Sequence, residues 1–141
     1  MNAVKALRKV QDDVVSILKK AKLVDGSLLD DDEIKKKSKR VMFWYRQAPK
    51  SASDKEILVI WAAPSLDPVG YGDNHVAVRS AYVSVDVYSK NGETDESTLD
   101  VLERIAEQFE QEGWKFEKVA LDSIDYVDKL TQIRYQATKK I

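Results

Sequence analysis

The sequence predicts an α+β single domain: a mainly antiparallel or mixed sheet of about five strands, with an N-terminal helix and a second helix packed on one face. Three observations carry this. The first two dozen residues place their apolar positions at helical spacing, five later segments read as strands, and one segment between two of those strands switches back to helical spacing. At 141 residues the chain is long enough for one domain that buries roughly 70% of its unfolded surface, and too short for two comfortable cores, so 1–141 is expected to be one domain.

In the first element, Val4, Leu7, Val10, Val14, Ile17, Leu18 and Ala21 recur at intervals of three and four, which predicts an amphipathic helix over 3–23, ending before Gly26. Lys5, Lys9, Lys19 and Lys20 fall outside that stripe with Asp12 and Asp13 among them, and read as a solvated outer face. "LLDDDEIKKKSKR" follows, an acidic run and then a basic one with few apolar positions, and is expected to be an exposed connection. "VMFWYRQ" and "EILVIWAA" are short apolar runs rich in aromatic and β-branched residues, predicting a central strand pair within 41–63. The link "APKSASDK" contains Pro49 and is expected to form a projecting hairpin loop. Trp44 and Trp61 read as core ahead of stacking platforms, with Ile57, Val59 and Trp61 sharing one strand face.

"PSLDPVGYGDNHVAV" has two prolines, two glycines and no helical period, so 64–76 is expected to be a long loop. The remaining 77–140 reads as strand, helix, strand, strand. Val83, Val85 and Val87 share one strand face opposite Tyr82, Ser84, Asp86 and Tyr88. Thr94 or Asp95 can cap the next helix, whose apolar stripe is Leu99, Leu102, Ile105, Ala106 and Phe109, and Gly113 supplies the left-handed stop. "WKFEKVAL" and "LTQIRYQATKK" alternate as two last strands, joined by a turn near "DSIDYVDK".

Composition narrows the function. A net charge of −1 lacks the excess of Lys and Arg that general polyanion binding needs. Zero cysteines exclude disulfides, thiolate zinc sites and thiol nucleophiles, and a single histidine excludes a multi-histidine metal site. The opening "MNAVKALRKVQDDVVSILKKAK" carries charges every few residues, unlike a signal peptide or a membrane span, so a cytosolic protein, or one assembled from the cytosol, is expected. Gly70-Tyr71-Gly72 lacks the spacing of a phosphate loop, and His75 beside Asp73 reads as solvated rather than as a base. Asp67, Asp73, Asp86 and Glu56 could gather around magnesium in a small metal-dependent nuclease, which is the alternative reading, with a small-ligand or peptide-binding domain as a third. The expectation is a non-enzymatic protein with no catalytic, cofactor or metal site.

One charge pattern is ordered. Glu96, Asp100, Glu103, Glu107 and Glu110 follow at intervals of four, three, four and three, an acidic stripe along the second helix whose like-charge neighbours repel. It reads first as a solubilising face, and more sharply as a surface for a basic partner or for a passageway that must not hold DNA.

The leading amphipathic helix, the aromatic strand pair, "AYVSVDVYSKNGET", the helix closed by "EQEGWKF" and the last strand after "DYVDKLTQIRYQATK" resemble the tail terminator and tail-completion proteins of long, non-contractile-tailed phages and prophages. The likeness lies chiefly in Tyr82 to Lys140, above all in Val83-Ser84-Val85-Asp86-Val87-Tyr88-Ser89-Lys90 and the Gly113-Trp114 turn. The resemblance implies a subunit of a ring, commonly of six copies, that stops tail-tube growth and meets the head connector. Its partners would be itself, the tail-tube protein and the head–tail connector protein, with transient DNA passage without sequence-specific binding and no membrane. Its place would be the virion's head–tail junction, after assembly in the host cytoplasm. On that reading the interface is expected on the segments 47–56 and 65–75, through Pro49, Lys50, Asp67, Tyr71, Asp73 and His75, against an exposed helix flank, with the acidic stripe facing the channel.

Overall fold

A computed structural model describes residues 3–37, 40–52, 57–62, 65–72, 75–90, 95–119, 123–125 and 130–140. Helix α1 (Ala3–Lys20) is followed by the short strand β1 (Val24–Asp25), a 3-10 turn (Gly26–Leu28) and the short helix α2 (Asp31–Lys36). Strands β2 (Met42–Tyr45), β3 (Ile57–Trp61), β4 (Ser65–Gly72) and β5 (His75–Ser89) come next. Helix α3 (Glu96–Gln111) and strands β6 (Lys115–Lys118), β7 (Ser123–Asp125) and β8 (Leu130–Lys140) complete the chain. The mixed sheet runs β1-β2-β3-β5-β8-β6, with β4 also on β5 and β7 also on β8. The α+β single-domain expectation therefore holds, with more strands than the sequence announced.

The sheet's two faces are covered unequally. Val10, Val14, Ile17 and Leu18 of α1 and Val101, Leu102, Ile105 and Phe109 of α3 pack on Val59, Trp61, Val83, Val85, Val87 and Ala137, so both long helices lie on one face. A smaller cluster of Ile34, Met42, Trp44, Ala52, Leu58 and Leu130 covers part of the other. Both tryptophans in question are core, Trp44 at 3% and Trp61 at 4% exposure, but on opposite faces, because they occupy alternate strand positions relative to their β2–β3 register.

The two long helices end alike. After α1, the Leu23 N–H bonds to the Leu18 carbonyl and the Lys22 N–H to that of Lys19, with Lys22 at φ 66°. After α3, Trp114 and Gly113 make the equivalent bonds to Phe109 and Glu110, with Gly113 at φ 85°, as its position in the sequence predicts. Of the two expected caps for α3, Asp95 accepts from the Ser97 N–H, while Thr94 lies outside the described residues.

Four expectations need correction. "DDDEIKKK" is not an irregular connection but contains α2: the Asp30 carboxylate accepts from the Glu33 N–H at 2.8 Å, acids fill the first turn and lysines the last, and Ile34 is buried. The charge order that looked like a solvated loop complements a helix dipole. The strands of 41–63 do pair, yet β2 and β3 are parallel, not a hairpin. Their link crosses the second face, where Ala48 and Ala52 join the smaller cluster. The expected loop 64–76 is largely strand, because β4 pairs antiparallel with β5 from Ser65↔Tyr82 to Gly72↔His75. Register shifts around Gly70 absorb the irregular sequence, and Pro68 is tolerated because β4 has no second neighbour among the described residues. Finally, Val4 at 63% and Leu99 at 43% exposure are not part of the α1 and α3 stripes; Thr98 takes the inward position in α3 and exchanges a 2.8 Å hydrogen bond with the Ser89 hydroxyl.

Candidate functional site

Strand β5 is long enough to do two jobs. Its C-terminal part, Ser80 to Ser89, pairs with β8 in the centre of the sheet. Its first residues, 75–79, pair only with β4, so beyond Ser80 the β4–β5 hairpin leaves the sheet with both outer edges unpaired among the described residues. Three of the nominated interface residues are on this ribbon by register: Asp67 opposite Ser80, Tyr71 opposite Val76 and His75 opposite Gly72. Asp73 lies outside the described residues. Pro49 and Lys50 do not join them. They are exposed at the start of the 3-10 turn Lys50–Ala52, whose buried Ala52 folds it down on the sheet's second face. By register the ribbon runs past the last β8 pair, Ser80↔Lys140, and the crossover packs on the second face.

The second candidate surface is the helix layer. Glu96, Asp100, Glu103, Glu107 and Glu110 are all exposed along α3, so the stripe read from the sequence exists as a continuous ridge. Arg104 is the single basic residue within α3; its Nε sits 3.2 Å from Asp100 and its Nη1 donates to the Ala21 carbonyl at 3.0 Å, tying α3 to the end of α1. A second tie, Lys20 Nζ to Glu112 Oε1 at 3.2 Å, joins the two helices at their C-terminal ends. The Lys139 ammonium donates to the Glu112 carbonyl at 2.7 Å, an appropriate charge for a helix C-terminus.

The feature missed from sequence is the counterpart of the stripe. Helix α1 holds Lys5, Arg8, Lys9, Lys19 and Lys20 against Asp12 and Asp13, so a basic ridge and an acidic ridge lie on one face of one sheet. Only the tertiary pairing of α1 with α3 puts them side by side.

The open part of the second face is polar. There Arg134 and Asp86, opposite one another on β8 and β5, form a two-pronged pair, with Nε donating to Oδ1 at 2.9 Å and Nη2 to Oδ2 at 3.3 Å. The Asp86 hydrogen bond, and then its charge, hold the Arg134 guanidinium above its ordinary range. Of the four carboxylates considered for magnesium, Asp86 is thus occupied by a cross-strand partner, while Glu56 and Asp73 lie outside the described residues and Asp67 is placed by register only. Among the described residues no three acidic or histidine side chains gather as a metal site. Between α1 and the Gly113-Trp114 turn runs a shallow cleft lined by Lys9, Asp13, Ser16, Lys20, Glu112 and Lys139, with mixed charge and no apolar floor beyond Ile17 and Trp114.

Comparison of the chain with protein families, with curated proteins and with solved structures finds no match.

Proposed function

We propose that the chain is a structural subunit of the phage head–tail junction, a ring-forming tail terminator or tail-completion protein that caps the tail tube and meets the head connector. The observation that carries this reading is the β4–β5 hairpin, a two-stranded ribbon running past the last β8 pair at Ser80↔Lys140. Two-stranded ribbons are marginal alone in water, and unpaired strand edges invite pairing with another chain, so a projecting ribbon is suited to a protein that completes its contacts by assembly. The resemblance in Val83 to Lys90 and at Gly113-Trp114 supports the same reading, since those residues form the central strand β5 and the α3–β6 turn on which both surfaces are mounted.

A closed ring of identical copies needs two different complementary patches on every copy. The ribbon at one end and the helix layer on one face offer surfaces of distinct character. The test is imaging by negative stain of tail tubes from the phage that encodes the chain, with and without the purified protein. Capped tube ends carrying a ring of uniform diameter are expected. Tube ends that stay bare at every protein concentration overturn the proposal.

A further inference from the structure

We infer that the end of the sheet where β8 finishes carries a phosphate-binding site, formed by Lys115, Lys139 and Lys140 with the hydroxyls of Ser80 and Thr138. The pocket is open, about 410 Å³, and is lined by those five residues and Gly113. The site does not rest on the ring reading, and its failure would leave that reading standing.

Sheet register gathers these side chains. Ser80 pairs with Lys140, Tyr82 with Thr138, and Thr138 in turn with Lys115 on β6. Residues that pair directly or stand two apart share a face, so Ser80, Thr138, Lys140 and Lys115 all belong to the second face. Lys139 alternates to the helix face and is held at the α3–β6 turn, where its ammonium donates to the Glu112 carbonyl at 2.7 Å and lies 6.0 Å from the centre of the Trp114 ring. Gly113, at φ 85°, closes the pocket beneath that ammonium, which would stand 3.8 Å from a Cβ placed there.

Two observations point to an anion. No carboxylate lines the pocket among the described residues, whereas the neighbouring cleft, which shares Lys139, sets Asp13 and Glu112 against Lys9 and Lys20. The acids nearest by register are Glu117, exposed and paired with Lys115 at 3.1 Å, and Asp67, opposite Ser80 on β4. An exposed pair of that kind holds its lysine weakly, and the Lys139 ammonium keeps N–H donors to spare after its bond to Glu112. The second observation is that Ser80 is only 8% exposed, yet its hydroxyl has no hydrogen-bond partner among the described residues; nor do the side chains of Thr138 and Lys140. A polar group so deeply set without a partner is costly, and an oxygen-rich ligand in the pocket would satisfy it.

The donor set selects phosphate among anions. Ammonium groups are compact point charges that suit a tetrahedral oxyanion approached from several sides, whereas a planar carboxylate is matched best by a guanidinium fork, and no arginine lines the pocket among the described residues. No aromatic ring lines it either, so a base attached to the phosphate would find no stacking surface. The recognised chemistry is the phosphate group itself, whether free or in a nucleic-acid backbone. A chain of net charge −1 can hold one such group locally without being a general polyanion binder.

The experiment is a titration of nitrogen-15 protein with sodium phosphate, followed by amide chemical shifts and matched at every point by sodium chloride of equal ionic strength. Saturable shifts centred on Ser80, Gly113, Lys115, Thr138, Lys139 and Lys140 are expected with phosphate and not with chloride. Lys115→Gln/Lys140→Gln should weaken binding about tenfold and Ser80→Ala about threefold, each with the wild-type circular dichroism, while Lys9→Gln in the neighbouring cleft should leave it unchanged. A short DNA duplex is the second arm. Shifts of the same residues at a lower total phosphate concentration than inorganic phosphate needs assign the site to a nucleic-acid backbone, and their absence beside a phosphate response assigns it to free phosphate. Phosphate shifts that merely track chloride, or saturable binding that Lys115→Gln/Lys140→Gln leaves untouched, overturn the site.

Discussion

A single methyl group added at Gly26 tests the smaller core. Gly26 opens the 3-10 turn after β1 and is buried, and a Cβ there would run into Cε2, Cζ2 and Nε1 of the Trp44 indole. The indole cannot slide away freely, since Trp44 is 3% exposed and packs in one cluster with Ile34, Met42, Ala52 and Leu58. Overpacking by one methylene costs about 1–3 kcal/mol, and contact with three atoms of a rigid ring puts Gly26→Ala near the upper end, about 2–3 kcal/mol. At about 2–4 °C per kcal/mol for a chain of this size, the melting temperature should fall by about 4–12 °C. Thermal and urea unfolding followed by circular dichroism measure it. The companion change is Trp44→Phe, which removes the Nε1–Cε2–Cζ2 edge that causes the clash and with it the indole N–H, which is buried with no acceptor among the described residues. On that background Gly26→Ala should cost less than about 1 kcal/mol, a coupling that a double-mutant cycle resolves. If Gly26→Ala melts with the wild type, or keeps its full cost beside Trp44→Phe, then the indole does not rest on Gly26 and the second-face cluster is wrongly understood.

Two further outcomes are expected. Lys22→Gly should raise stability by up to about 1 kcal/mol, because Lys22 occupies at φ 66° the left-handed position that Gly113 fills after α3; chemical denaturation measures it, and a loss of stability would contradict the cap. Phe109→Ala should cost about 3–5 kcal/mol, since Phe109 is fully buried, stacks on Phe116 at 5.4 Å and meets Trp114 edge-on at 5.8 Å, whereas Leu99→Ala should stay within about 0.5 kcal/mol.

Much of the fold was legible because period and burial agree wherever an element is covered on one side. The stripes of α1 and α3 and the valines of β5 have a dry face and a wet face, so 3.6- and 2-residue periods appear in the sequence. Legibility failed where something other than period decides. In α2 one buried residue, Ile34, anchors a helix defined by its cap and its charge order. In β4 a proline and two glycines obscure a strand held by a single neighbour among the described residues, and in the β2–β3 crossover direction depends on Ala48 and Ala52 finding the second face, which no local signal announces. The same division runs through the candidate surfaces. The acidic stripe was visible because it lies on one element; its basic counterpart was not, because the α1 lysines acquire meaning only beside α3.

That asymmetry bears on how the strand-helix-strand unit would carry the surfaces of the proposed ring subunit. Strand β5 is held by β3 and β8 and covered by α1 and α3, so its C-terminal part is constrained on both edges and one face. The same strand, followed back before Ser80, becomes one half of the two-stranded ribbon. Any load placed on the ribbon by a neighbour is therefore transmitted along a continuous backbone into the centre of the core, rather than through a hinge. The α3–β6 turn acts alike for the helix layer: Gly113 reverses the chain, Trp114 is buried at once, and Lys139 of β8 holds the Glu112 carbonyl, so the C-terminal half of the acidic ridge is fixed to the same strand that pairs with β5. Both outward surfaces thus share one rigid origin in the β5–β8 pair. A subunit that must repeat one angle around a closed ring requires that its two patches keep a fixed relation, because a small error per contact accumulates around the circle.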